Sequence, residues 1–137
     1  MAADLTIVIV NWNVGQLVCQ ALASIYESPS ARQVDGCLVL QDLSTSIVVV
    51  DNASGDDSVD RIRSEHPNVS IVESPINVGF SAGNNLALRH CKSPYVLLLN
   101  PDTEVVEDTI PTLVEHLQEH ATAGIVGPQL RYGDGTY

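Results

Sequence analysis

Uninterrupted apolar runs alternate along this chain with segments whose apolar positions recur every three or four residues. Leu5-Thr6-Ile7-Val8-Ile9-Val10 is β-branched and almost wholly apolar, which predicts a buried strand. It stops at Asn11-Trp12-Asn13. Leu17, Val18, Ala21, Leu22 and Ile25 then share one face of a helix over residues 14–26, with Asn13 placed to cap it. Residues 28–46 read as an insertion, in which residues 36–40 form either a short extra strand or loop. Ile47-Val48-Val49-Val50 is a second buried strand, ending at Asp51-Asn52. Val59 and Ile62 begin a short helix that Pro67 stops. Residues 69–73 alternate like a strand near an edge. A loop over 74–79 leads into a helix over 82–91. Tyr95-Val96-Leu97-Leu98-Leu99 suits a strand covered on both faces, and Pro101 cannot continue it. A helix over 109–120 carries Pro111 in its first turn. Residues 124–127 predict a fifth strand, and Gly133-Asp134-Gly135 a turn.

This order predicts an α/β, Rossmann-like fold: a mostly parallel sheet with right-handed crossovers and helices on both faces. With 137 residues the chain can bury a real core. A single domain over 1–137 is expected, cut short relative to a whole protein.

Composition changes the picture in two places. The net charge of -11 argues against a nucleic-acid partner and against an electrostatic membrane anchor. It also means that an anionic ligand would need a cation between itself and the chain. The three cysteines, Cys19, Cys37 and Cys91, have no CxxC spacing and read as reduced thiols of a cytosolic protein. No apolar run reaches the ~18 residues of a membrane span, and no basic segment precedes the first apolar run as in a signal peptide. A cytoplasmic location is therefore expected, with membrane association left to any further part of the protein. His116 and His120 stand four apart, a spacing a metal could bridge, but read as solvated.

Three strands end in polar groups that would meet at one edge: Asn11-Trp12-Asn13, Asp51-Asn52 and Asn100-Pro101-Asp102. Ligands of open α/β sheets bind at that carboxyl edge. Each residue has two readings. Asp102 either holds a divalent metal on a nucleotide diphosphate or caps the next helix. Trp12 either stacks on a flat ring or fills core. Asp51 either accepts hydrogen bonds from a base or ribose or caps the turn after it. The loop Gly79-Phe80-Ser81-Ala82-Gly83-Asn84-Asn85 either faces an anion with free helix N–H groups or simply needs positive φ and close packing. A phosphorylation receiver is disfavoured: it needs an acidic pair after the first strand and a lysine after a late one. Here those places hold Asn11-Trp12-Asn13 and Gly127-Pro128.

Taken in order, VIVNWN (8–13), VVVDNASGDDS (48–58), NVGFSAGNNLAL (77–88), YVLLLNPDTEV (95–105) and GIVGPQL (124–130) resemble the family 2 glycosyltransferases of the GT-A fold, especially their rhamnosyltransferase-like bacterial branch. The resemblance runs from Leu5 to the last residue, apart from 28–46. It implies an inverting transferase that uses a nucleotide-diphosphate sugar, dTDP- or UDP-linked, with Mg²⁺ or Mn²⁺. The acceptor implied is a glycan or lipid-linked molecule in cell-surface polysaccharide synthesis. On this match Asp51 binds the base and Val10, Asn11 and Trp12 wall it. Asn77, Gly79, Gly83 and Asn84 border the donor. Asn100-Pro101-Asp102 stands at the DxD position, with Asp102 on the metal and the neutral Asn100 in place of the first acid. The chain offers no catalytic base, which the family carries further on. It is therefore expected to bind nucleotide without efficient transfer. The alternative is a non-catalytic nucleotide-binding or assembly module.

Overall fold

The computed structural model describes residues 2–137. The chain runs β1 (Leu5–Asn11), α1 (Gly15–Tyr26), β2 (Ala31–Val34), β3 (Cys37–Leu40), β4 (Leu43–Asp51), α2 (Ser58–Glu65), β5 (Ser70–Glu73), α3 (Phe80–Leu88), β6 (Tyr95–Leu98) and α4 (Thr109–Glu119). The strands form one sheet in the order β2-β3-β4-β1-β6, with β5 also paired to β4. β1 pairs in parallel with β4 and β6, and β5 in parallel with β4. Only the β2–β3 and β3–β4 pairs are antiparallel. The α/β, mostly parallel architecture read from the sequence is the one present.

All seven residues of β1 are buried, because β1 is flanked on both edges and covered on both faces. Leu5, Ile7 and Ile9 point into the larger core with Val18, Leu22 and Ile25 of α1, Ile62 of α2 and Val114 of α4. Val8 and Val10 point the other way, with Val50 and Ala87 of α3. The two-residue period of a strand thus divides one apolar run between two helical layers.

Four expectations are corrected. First, the 28–46 segment is no mere insertion: Ala31–Leu40 form a β-hairpin that extends the sheet, with Cys37–Leu40 as the strand left open above, and the second strand starts at Leu43 rather than Ile47. Asp35 and Gly36 both have positive φ, 50° and 80°, as a two-residue turn of type I′ requires. Second, residues 124–127 form no strand. Gly124, Ile125 and Val126 instead border an apolar groove between β6 and α4. Third, β6 is covered on one face only. Tyr95 and Leu97 pack on the larger core, whereas Val96 and Leu98 are 41% and 49% exposed, since α3 packs over β4 and β1. Fourth, Asn13 does not cap α1. Its φ is 56°, and the first N–H groups there are satisfied from elsewhere: Val14 N–H donates to Asn11 Oδ1 and Gly15 N–H to Ser58 Oγ.

That last bond marks a close approach of α1 to α2. A Cβ at Gly15 would lie 2.6 Å from Ser58 Cα, a backbone atom that cannot swing aside. Gly15→Ala is expected to force the helices apart at a cost of about 1–3 kcal/mol. Urea denaturation should show a lower midpoint with an unchanged slope; an unchanged midpoint would contradict the packing described.

Candidate functional site

The parallel register sets Asn11 directly beside Asp51, so the ends of β1 and β4 carry their polar groups at the same height. Asn11 is fully buried and Asp51 is 4% exposed. Asn11 Nδ2 donates to Asp51 Oδ1 at 2.8 Å and to Ser54 Oγ at 3.0 Å. Asp51 Oδ2 accepts the Ser54 N–H at 3.0 Å. The turn after β4 is thereby locked, with Ala53 held at φ 61°, a left-handed conformation that costs a β-carbon residue energy and gathers at functional sites. Asn13 joins the lock from the other side: its Oδ1 accepts the Gly55 N–H at 2.8 Å and its own N–H donates to Ser54 Oγ at 2.9 Å. Ser58 hydrogen bonds to Asp56 hold that carboxyl below its usual range.

Asn52, which the sequence reading placed at the strand end but gave no role, governs the next loop. It is 3% exposed. Its Nδ2 donates to Asn77 Oδ1 at 2.9 Å and to the Gly79 carbonyl at 3.3 Å, while its Oδ1 accepts the Val78 N–H at 2.9 Å. Asn77 Oδ1 also accepts the Gly79 N–H. Gly79, at φ 82°, occupies the cap position of α3, in a conformation open to glycine. α3 starts at Phe80, two residues before the predicted start. One turn on, Gly83 packs on Val10, whose Cγ1 a Cβ would approach to 3.1 Å. Asn84 is buried and donates to the Phe80 carbonyl.

In front of this framework lies an open cleft of about 530 Å³, lined by Val10, Trp12, Val14, Leu17, Asn52, Asn77, Gly79, Phe80, Asn100, Pro101 and Asp102. Six of the residues singled out in the sequence therefore face one space: Val10, Trp12, Asn77, Gly79, Asn100 and Asp102. Asn11, Asp51, Gly83 and Asn84 lie outside that lining, behind the wall. Trp12 and Phe80 are 56% and 55% exposed, so Trp12 is not core filling. Asp102 does not cap the next helix: α4 begins at Thr109, and its cap position is Asp108. Asp108 in turn accepts the Ser30 N–H at 2.9 Å. The 100–103 turn is closed by the Thr103 N–H and hydroxyl on the Asn100 carbonyl. Asp102 is exposed, and among the described residues no Arg or Lys pairs with it. It is the one carboxylate in a lining that holds no cationic side chain. A hard oxygen donor of this kind suits Mg²⁺ or Mn²⁺, with the Asn100 amide oxygen as a neutral neighbour.

Comparison with known proteins gives the family. The pattern of glycosyl transferase family 2 matches residues 6–137, and the chain belongs to that family. It is 30% identical over 92 residues to the low-salt glycan biosynthesis hexosyltransferase Agl10 of Haloferax volcanii, covering 64% of this chain and 29% of that protein. Its fold matches the mannosyltransferase PcManGT from Pyrobaculum calidifontis, solved in complex with GDP-Man and Mn²⁺. That match has a TM-score of 0.72 at 25% identity, over 96% of this chain and 36% of the mannosyltransferase. S. aureus TarS, solved in complex with UDP, shares the fold at 18% identity, with a TM-score of 0.66 over 92% of this chain and 38% of that one. The chain thus spans about a third of the length of these relatives. No helix among the described residues is long and apolar enough to cross a membrane.

Asn52→Ala should free the 77–79 loop from β4, costing about 1–3 kcal/mol through the orphaned Val78 N–H. Hydrogen exchange at Val78 should accelerate while exchange in β1 stays slow. Equal protection of Val78 in both proteins would show that the clamp does not hold the loop.

Proposed function

We propose that this chain is the donor-binding part of an inverting glycosyltransferase. It would take a sugar from a nucleotide-diphosphate donor for delivery to a glycan or lipid-linked acceptor. One observation carries the reading: a single cleft sets two exposed aromatic rings, Trp12 and Phe80, beside a lone exposed carboxylate, Asp102, with no cationic side chain in the lining. Aromatic faces suit a planar base, and a carboxylate alone repels a diphosphate unless a cation joins them. Asp102 is the residue we assign to that cation, with Asn100 beside it. A divalent ion held there supplies positive charge to the leaving diphosphate.

The chain's own residues do the rest of the binding. Trp12 stacks on the base, and Val10 backs it. The start of α3, presented by Asn77 and Gly79, turns its free N–H groups toward the anion. Gly83 and Asn84 set the pitch of that helix. Asn11 and Asp51 keep the ends of β1 and β4 in register, and Asp51 is the acid we assign to the base or ribose. Transfer also needs a general base for the acceptor hydroxyl. Asp102 is the only ionisable side chain in the lining, so we assign this chain donor binding without efficient transfer. The NPDTE and DNASGDD segments favour the rhamnosyltransferase-like bacterial branch, and with it cell-surface polysaccharide synthesis on the cytoplasmic side and a dTDP- or UDP-linked donor.

Calorimetric titration of UDP-, dTDP- and GDP-sugars, with and without Mn²⁺, tests the proposal. Binding should require the metal and disappear in Asp102→Ala. Trp12→Ala should weaken it by about 1–3 kcal/mol, the contribution of one base stacked on an aromatic ring. Failure of every nucleotide to bind the wild type would leave the chain an assembly module that retains the fold.

A further inference from the structure

The seam between α1 and α2, on the sheet face opposite α3, carries a second group of ligating atoms. Cys19 of α1, Glu65 at the end of α2 and His66 just after it each offer one atom, and these lie within 4.8 Å of one another. The three come from two helices that pack side by side, with Gly15 on Ser58 fixing their separation. His66 is held from both sides. Its backbone N–H donates to the Ile62 carbonyl, and its ring stacks on Tyr26 at 5.9 Å between centroids and 11° between planes. Cys19 is 6% exposed and Glu65 is exposed, so the group is anchored on its inner side and open on its outer side.

From this geometry we infer that Cys19, Glu65 and His66 form a site for a borderline transition-metal ion such as Zn²⁺, with water in the fourth position. Sulfur and imidazole nitrogen select this class over Mg²⁺ or Mn²⁺, so the site differs in kind from the Asp102 cleft. Bonds of about 2.3 Å to sulfur and about 2.0 Å to nitrogen or oxygen in a tetrahedral site bring the ligand atoms to about 3.3–3.6 Å from one another, closer than the 4.8 Å within which they now lie. Glu65 can supply that movement, being exposed and held otherwise by Arg61 at 3.5 Å. Burial and the nearby Glu65 charge push the Cys19 thiol up to about 11, so the free site holds S–H. Binding replaces the S–H bond by a sulfur–metal bond, and the proton leaves to solvent. The ion would tie α1 to α2 and stabilise the fold by mass action.

Cobalt(II) is the probe. Added to the reduced 137-residue chain, it should give a thiolate-to-cobalt charge-transfer band that saturates at one equivalent and is displaced by Zn²⁺. Zn²⁺ should raise the melting temperature and Mn²⁺ should not. Cys19→Ser should abolish the band, and Glu65→Gln, at an exposed position that leaves the core intact, should weaken cobalt binding at least ~10-fold. Asp102→Ala should leave the band unchanged, which separates this site from the donor cleft. No band in the wild type, a band that survives Cys19→Ser, unchanged affinity in Glu65→Gln, or loss of the band in Asp102→Ala would each overturn the inference.

Discussion

The pairing of β1 with β4 is the constraint on which the rest of the molecule depends. Parallel register sets Asn11 beside Asp51, and that single alignment has both structural and functional consequences. Below it, Ile7, Ile9, Ile47 and Val49 enter the larger core, and Val8, Val10 and Val50 the smaller. Above it, the Asn11–Asp51 hydrogen bond closes the sheet edge, and the turns that follow both strands are tied to that bond through Ser54. A one-residue slip would reverse every side chain of β1 between the layers and would also separate the two polar strand ends. The apolar core and the polar edge therefore specify the same register.

On the proposed reading, the cleft is where an acidic chain would take an anionic ligand. Among its lining residues Asp102 carries the only charge, and it stays exposed while Asn11 and Asp51 satisfy each other behind the wall and Asn52 is spent on the 77–79 loop. The neutral amides do the structural work. The aromatic rings and the carboxylate are left facing the opening. In this division of labour the buried polar residues hold loops, and the exposed ones are free to meet a ligand.

Much of the fold was legible because its strands are unbroken apolar runs separated by helical periodicity. The β1 and β4 runs, the four helices and the strand-end polar groups were all visible as pattern. What the pattern hid has physical reasons. The hairpin over β2 and β3 depends on Asp35 and Gly36 adopting positive φ. Its strands are short, and the exposed, polar Ala31–Val34 gives little apolar signal. The 124–127 segment carried the apolar signal of a strand but has no ladder partner. β6 read as buried on both faces because apolar content cannot reveal how far α3 reaches across the sheet. At the site, Trp12, Asn100 and Asp102 were readable from their places at strand ends. Asn52 was not, since its role lies in bonds to residues some 25 positions away, which no local spacing encodes. The same holds for Cys19 with Glu65 and His66, brought together only by helix packing.

The central claim is that Asp102, Trp12 and the start of α3 bound one donor site. The most direct measurement is paramagnetic broadening of amide resonances by substoichiometric Mn²⁺ in the presence of UDP. The account predicts that signals of residues 100–103, Trp12 and residues 79–81 broaden first and together, and that they do so only when nucleotide is present. Broadening confined to other acidic surface positions, or broadening at Asp102 that leaves Trp12 and the start of α3 sharp, would contradict it.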